Sequence, residues 1–285
     1  MNRELVLRLA MCQELGIQKK WLALAYAKKY QRDTLSFGEL QRLFGYQRFS
    51  PYLESSWQSL AGEGLSEALA EQDYLTIDSP LYPEQLHHLP YPPLVLFYAG
   101  RRELLQKRLL GFVGAREASS YGRKVVMKFI PEMVAANYVI VSGLAKGIDG
   151  CAHQATLDSD GFTIGVLGSG LDVCYPAENR HLYEILQKQH LIISEYPRGT
   201  PPKKYHFPQR NRIIAGLCKG LCVVEAKGRS GSLITAQQAL EIGREVFAIP
   251  GEILSGRQDG CHSLIQDGAK CVYRTQDILE ELPDF

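Results

Sequence analysis

From Leu94 onward the chain alternates short apolar runs with longer stretches of mixed polarity. Leu94–Tyr98, Leu110–Val113, Tyr138–Val141, Phe162–Leu167, Leu191–Ile193, Leu221–Val224, Glu245–Ile249 and Cys271–Tyr273 are β-prone and of strand length. Between several of them, residues 119–136, 147–158, 178–189, 209–217 and 232–243 are long enough for helices. Continuous apolar strands alternating with helices predict an α/β fold, a mostly parallel sheet covered on both faces. Pro131 falls inside the first of these helices and is expected to kink or interrupt it.

The first 73 residues follow a helical pattern instead. Leu5, Leu7, Leu9 and Ala10 mark one helix with Gly16 as its expected stop, and Trp21, Leu22, Leu24, Ala25 and Tyr26 mark a second. Ser36 with Glu39 three residues on reads as a capping box opening a third, ended at Gly45. Residues 74–93, rich in Pro, Tyr and His, read as a joint. The expected organisation is a small helical unit over 1–73, a joint over 74–93 and an α/β unit over 94–285, with no further domain after the last strand.

Composition narrows the function. The 285 residues are 45% apolar with a formal net charge of +1, enough for a proper core but no bulk polycation. Nucleic-acid binding would therefore have to be local. No apolar signal core opens the chain and no membrane-length apolar run occurs, so a soluble, cytoplasmic protein is expected. The seven cysteines include no CxxC, and Cys218 and Cys222 lack a nearby His pair; reduced, buried thiols and no metal site are expected.

One stretch is locally basic. From Tyr196 to Val224 there is no Asp or Glu, while Arg198, Lys203, Lys204, Arg210, Arg212 and Lys219 fall inside. Pro201-Pro202 holds the approach extended. A helix opening near Gln209 would place Arg210 and Arg212 in its first turn, where cations oppose the macrodipole by roughly 0.3–1 kcal/mol each. An anion across that end would remove the conflict. Tyr205, His206 and Phe207 interleave with these cations, the composition that single-stranded nucleic acid needs. Residues 1–50 also hold an excess of Lys and Arg, a second candidate phosphate-facing surface or a solvated one.

Glycines mark the ends of the predicted strands, where open α/β sheets bind ligands. Gly114-Ala115-Arg116, Ser142-Gly143-Leu144-Ala145-Lys146-Gly147, Gly168-Ser169-Gly170 and Arg229-Ser230-Gly231-Ser232-Leu233-Ile234-Thr235 each place small residues where backbone N–H groups can face an anion. The dinucleotide fingerprint fails, since Val173 stands where the third glycine belongs, and no P-loop occurs. Catalytic constellations are thin. His153 follows Asp149 on one helix face, Glu195 and Glu225 close strands, and neither GxSxG nor HExxH is present. Anion binding without a cofactor fits better than bond breaking.

These motifs together resemble the DNA-processing protein A (DprA/Smf) family of naturally transformable bacteria. The resemblance rests on Ser142 to Asp149 with Ala152-His153, Gly170-Leu171-Asp172 with Tyr175-Pro176, and Ser194-Glu195-Tyr196. Phe207-Pro208 with Arg210 to Gly216, Glu225-Ala226, Ser230 to Leu233, and Val246 to Gly251 complete it. It implies an extended, doubly wound Rossmann fold preceded by a sterile-alpha-motif-like helical domain. It also implies a protein without catalytic turnover that binds incoming single-stranded DNA, displaces single-strand-binding protein and loads the RecA recombinase. Arg116, Lys204 and Arg210 fall on the family's DNA-contacting positions, and Asn211 and Arg212 belong to the same motif. Tyr175, Tyr205 and Phe207 are the expected stacking rings, and Arg212 is alternatively a partner for Glu225. Two departures stand out: Ala115 replaces the usual Ser, and Ala177-Glu178 stands where a Lys is often found. The winged-helix C-terminal domain of some members is not expected here. A homodimer is implied through Leu240, His262 and Ile265, with Leu264 in the core. The alternative is a nucleotide phosphoribohydrolase-like enzyme, which would need Glu225 poised at a ribose.

Overall fold

The computed structural model describes residues 2–45 and 52–282; residues 1, 46–51 and 283–285, parts of the helical and α/β stretches expected above, lie outside the described residues. Helices α1 (Arg3–Met11), α2 (Ile17–Lys29), α3 (Phe37–Phe44), α4 (Leu53–Ser59) and α5 (Glu63–Leu69) open the chain. Then come β1 (Asp73–Thr76), β2 (Val95–Gly100), β3 (Arg108–Val113), α6 (Ser120–Ala135), β4 (Tyr138–Ser142), α7 (Ile148–Leu157), β5 (Thr163–Leu167), α8 (Arg180–Gln189) and β6 (Leu191–Ser194). The last third holds α9 (His206–Leu217), β7 (Gly220–Val223), α10 (Gly231–Glu241), β8 (Glu245–Ala248), α11 (Asp259–Gln266), β9 (Lys270–Cys271) and α12 (Gln276–Leu279).

The strands form one sheet in the order β1-β2-β6-β5-β4-β3-β7-β8-β9. Only the β1–β2 and β2–β6 pairings are antiparallel among the described residues. The period of two sorts side chains to opposite faces. Leu109, Val139 and Val141 join the core that includes Ile213 and Ile214 of α9, whereas Leu110 and Ile140 join Val126, Ile130 and Ile148 of α6 and α7. From β3 the chain steps outward to β6, then crosses back to lay β7 on β3's other side. A crevice opens at that reversal, beyond the carboxyl ends of β3, β4 and β7.

Three sequence expectations are corrected. Residues 74–93 are not a free joint: β1 is the sheet's edge strand, and Tyr82 is buried with its hydroxyl donating to the Pro93 carbonyl at 2.8 Å. Leu5, Leu9, Leu24 and Trp57 of the helical unit share one continuous core with Leu75, Phe97 and Ile193 of the sheet. Gly16 does not stop α1, which ends at Met11 with Cys12 as its C-cap; it is the N-cap of α2, with extended backbone. Pro131 does not interrupt α6. The carbonyl it leaves without a donor belongs to Met127, an exposed residue, so water can serve it. The capping box is present, with Ser36 and Glu39 each accepting from the other's backbone N–H, and Gly45 follows α3 at φ 71°.

Candidate nucleic-acid interface

A groove of about 680 Å³ runs along the crevice. Its wall on one side is the turn after β3, Gly114 to Glu117, and on the other the turn before α10, where Lys227, Arg229, Ser230, Gly231 and Ser232 line it. Gly114 permits the tight approach of strand to helix, because a Cβ there would sit 2.6 Å from Ile148 Cγ1. Ser230 caps α10, accepting from the Ser232 N–H at 3.3 Å.

The third side is the start of α9. This helix begins at His206 instead of near Gln209, because Pro208 fits a first turn whose N–H groups have no helical partner anyway. Two buried or half-buried rings clamp that turn. His206 stacks on Tyr196 at 4.0 Å, and its Nδ1 donates to the Gly168 carbonyl at 3.0 Å. Tyr196 in turn donates its hydroxyl to Gln209 Oε1 at 2.7 Å. The clamp holds Phe207 in the groove, 5.6 Å from the ring of exposed Tyr175 and 5.5 Å from the Arg116 guanidinium. Lys203, Lys204 and Tyr205 are exposed beside it, with Lys204 on the groove wall. A small pocket of about 70 Å³ opens between Tyr175, Phe207, Gly168 and Lys146.

Several residues expected to touch DNA turn out to have other duties. Arg210 lines the groove but is 4% exposed, past the first turn of α9. Its guanidinium donates to the carbonyls of Gly143 and Val166 and, through Nε, to Asn211 Oδ1 at 3.0 Å. Burial disfavours its charge, and the buried Asp149 carboxyl opposes that effect. Arg210 is thus a tie between the ends of β4 and β5, not a surface cation. Arg212 points away from the groove into a mostly buried pair with Glu195, not with Glu225. Ser142 is fully buried and donates to the Phe112 carbonyl at 2.6 Å, and the Gly143 N–H donates to Asp149 at 3.2 Å. The Gly170 N–H donates to the Thr200 carbonyl at 2.9 Å. None of these three has a group left for an anion. Lys146 is ion-paired with Glu178, so the departure at 177–178 also engages the neighbouring cation. Glu225, the candidate ribose contact, is buried; it accepts from Ser119 N at 3.0 Å and Ser119 Oγ at 2.7 Å and faces Arg257 at 3.4 Å. It does not line the groove.

Arg229 opens the last of the glycine turns marked in the sequence and stands on the far wall; Lys227 beside it was missed, although two cations flanking Gly228 just before Ser230 were a visible signal. His153 is fully buried with Nδ1 2.7 Å from Thr163 Oγ1, a packed residue and not an acid–base group. The seven cysteines are free, and Cys271 is exposed, against the expectation of burial. Among the described residues no helix is long and apolar enough to cross a membrane. Of the expected dimer residues, Leu240 is exposed, Ile265 half-buried against the core, and His262 half-buried with Nε2 3.2 Å from the Gly251 carbonyl. Leu264 is in the core.

A profile of the DNA recombination-mediator protein A family matches residues 73–283. The DNA processing protein DprA of Streptococcus pneumoniae (strain ATCC BAA-255 / R6) is 45% identical over 258 residues, 90% of each chain. The X-ray structure of Streptococcus pneumoniae DprA superposes with a TM-score of 0.86 at 43% identity, covering 96% of this chain and 95% of that one. DNA processing protein A from Helicobacter pylori, solved for its single-stranded DNA binding mode, matches with a TM-score of 0.67 at 27% identity, over 74% of this chain and 96% of that one.

Proposed function

Since the chain belongs to the DNA recombination-mediator protein A family, we propose that its groove binds single-stranded DNA. The observation that carries this reading is the Phe207–Tyr175 pair, an aromatic shelf rimmed by Arg116 and Lys204. Exposed bases stack on such rings at about 1–3 kcal/mol each, and a duplex hides those faces. Arg116, Lys204, Lys227 and Arg229 supply phosphate contacts on both walls, and Ser230 to Ser232 present the start of α10 to a backbone oxygen. Asn211 and the buried Arg210 hold the floor in place. Cations spread over the groove's sides suit a polymer better than one mononucleotide, and the engagement of Glu225 argues against ribohydrolase chemistry.

In this reading the protein takes up incoming DNA strands in natural transformation, displaces single-strand-binding protein and hands the strand to RecA, acting as a homodimer without catalytic turnover. A salt titration with single- and double-stranded oligonucleotides tests the first step. Tighter binding of the single strand is expected, with a log–log salt slope of roughly −0.7 per phosphate neutralised. Equal affinity for the two forms at about 150 mM salt would overturn it.

A further inference from the structure

Away from the groove, the helical unit presents a second surface of related chemistry. From Ile17 to Arg32 the sequence holds no Asp or Glu. Within α2, Leu22, Tyr26 and Tyr30 recur every four residues and so share one face, Tyr30 being the residue that closes the helix. Leu22 is 49% and Tyr30 52% exposed, and the rings of Tyr26 and Tyr30 lie 4.6 Å apart. Lys29 is exposed on the same side, with its Nζ 5.3 Å from the Tyr30 ring, whereas Lys28, two positions from each tyrosine, is exposed on the opposite side of the helix. Other cations of the stretch are occupied: Lys20 donates to the Ala10 carbonyl at 2.8 Å, and Arg32 pairs with Glu39 at 3.7 Å.

Lysines in a last turn complement the macrodipole, which accounts for the charge. It does not account for Leu22 and Tyr30 lying exposed on either side of Tyr26, which is half-buried against the core. An anionic partner with flat apolar faces matches both, which is the chemistry of unpaired bases on a phosphate backbone. The stripe is also fixed relative to the groove. The loop leading to Lys203 and Tyr205 is tied to the helical unit by Gln13 Nε2 donating to Thr200 Oγ1 at 2.7 Å and by Arg198 N donating to Gln72 Oε1 at 2.8 Å.

We propose that α2 is a second binding surface for single-stranded DNA, engaging the strand beyond the groove; this rests on the groove reading above. The test compares the full-length wild type with a Lys29→Glu, Tyr30→Ala variant on thymidine oligonucleotides of about 6 and about 30 nucleotides, the shorter within a single site's span. The short oligonucleotide should bind both proteins alike. The long one should bind the variant at least about fivefold more weakly, with a salt slope shallower by about 0.7 for each phosphate that is no longer neutralised. Tyr30→Ala alone should weaken only the long oligonucleotide and leave the slope unchanged. Unchanged binding of the long strand, or equal losses on both lengths, overturns the proposal. So does binding of anionic vesicles through Lys29 and Tyr30 with no effect on DNA, which would make the stripe a membrane contact. Lys204→Glu is the control for the groove itself: if it leaves short-strand affinity untouched, the groove reading fails and takes this proposal with it.

Discussion

Arg210 and Lys204 lie six positions apart in the sequence and have opposite fates, and a charge pattern cannot distinguish them. What buries Arg210 is two strand-end carbonyls and Asp149, groups brought to it by β4, β5 and α7 from far along the chain. Arg210→Ala should therefore lower the melting temperature markedly, with a loss of about 1–3 kcal/mol for each buried carbonyl left without its donor. Lys204→Glu should stay within about 0.5 kcal/mol of wild type while weakening DNA binding and its salt slope. Thermal melts beside a binding titration separate the two. His153 gives a pH dependence of known sign. Thr163 Oγ1 donates to the Ile140 carbonyl, so His153 Nδ1–H must donate to Thr163 and Nε2 is left bare in the core. Burial, with His190 and Arg210 nearby, holds its pKa down to about 3. Below an unfolded value of about 6.5 the unfolded chain takes up a proton that the folded one refuses. Stability from this group is thus full above about 6.5 and falls as pH drops toward 3. Melting temperatures of wild type and His153→Gln across that window should differ in slope, the variant being flatter.

Elements are more legible than their edges. Among the described residues, seven of the nine strands of the sheet announce themselves as apolar runs, because a strand covered on both faces has no polar side to blur it. The exceptions are the two edge strands: β1, Asp73-Tyr74-Leu75-Thr76, with one polar end next to a Pro-rich stretch, and β9, Lys270-Cys271, which the expected run Cys271–Tyr273 meets at one residue. The start of α9 departs from its expected place for a related reason. Proline and aromatics read as loop, yet Pro208 is tolerated in a first turn and the His206–Tyr196 stack decides where that turn sits. The consequence is functional, since the earlier start carries Phe207 into the groove on a helix rather than on a flexible loop. Phe207→Ala should cost single-stranded DNA binding about 1–3 kcal/mol, the worth of one stacked base, at nearly constant salt slope. A loss that appears only as a changed slope would mean the ring acts by placing Arg116 instead of by stacking.

At the scale of the whole molecule, the groove is short and its cations are few, so one copy can neutralise only a handful of phosphates. Two linked grooves would raise effective concentration and can gain 10²–10⁴ in avidity, which is why a homodimer belongs to the proposed function. The expected interface combined Leu240, His262 and Ile265, and their burial separates them. Ile265 packs partly on its own core and His262 reaches Gly251, so substituting either would disturb the fold as well as an interface. Leu240, 42% exposed on the surface of α10, carries no such double role. An isologous contact there would bring the same leucine from both copies toward the axis. Leu240→Glu would then bury an unpaired carboxylate on each side of the interface while leaving the monomer's core intact. Light scattering should report a folded monomer with an unchanged melt. DNA binding at equal salt should fall toward that of a single groove, the effect growing with oligonucleotide length as the second site drops out of reach. A variant that stays dimeric moves the interface off α10. A monomeric variant that binds long strands as tightly as wild type removes avidity from the account.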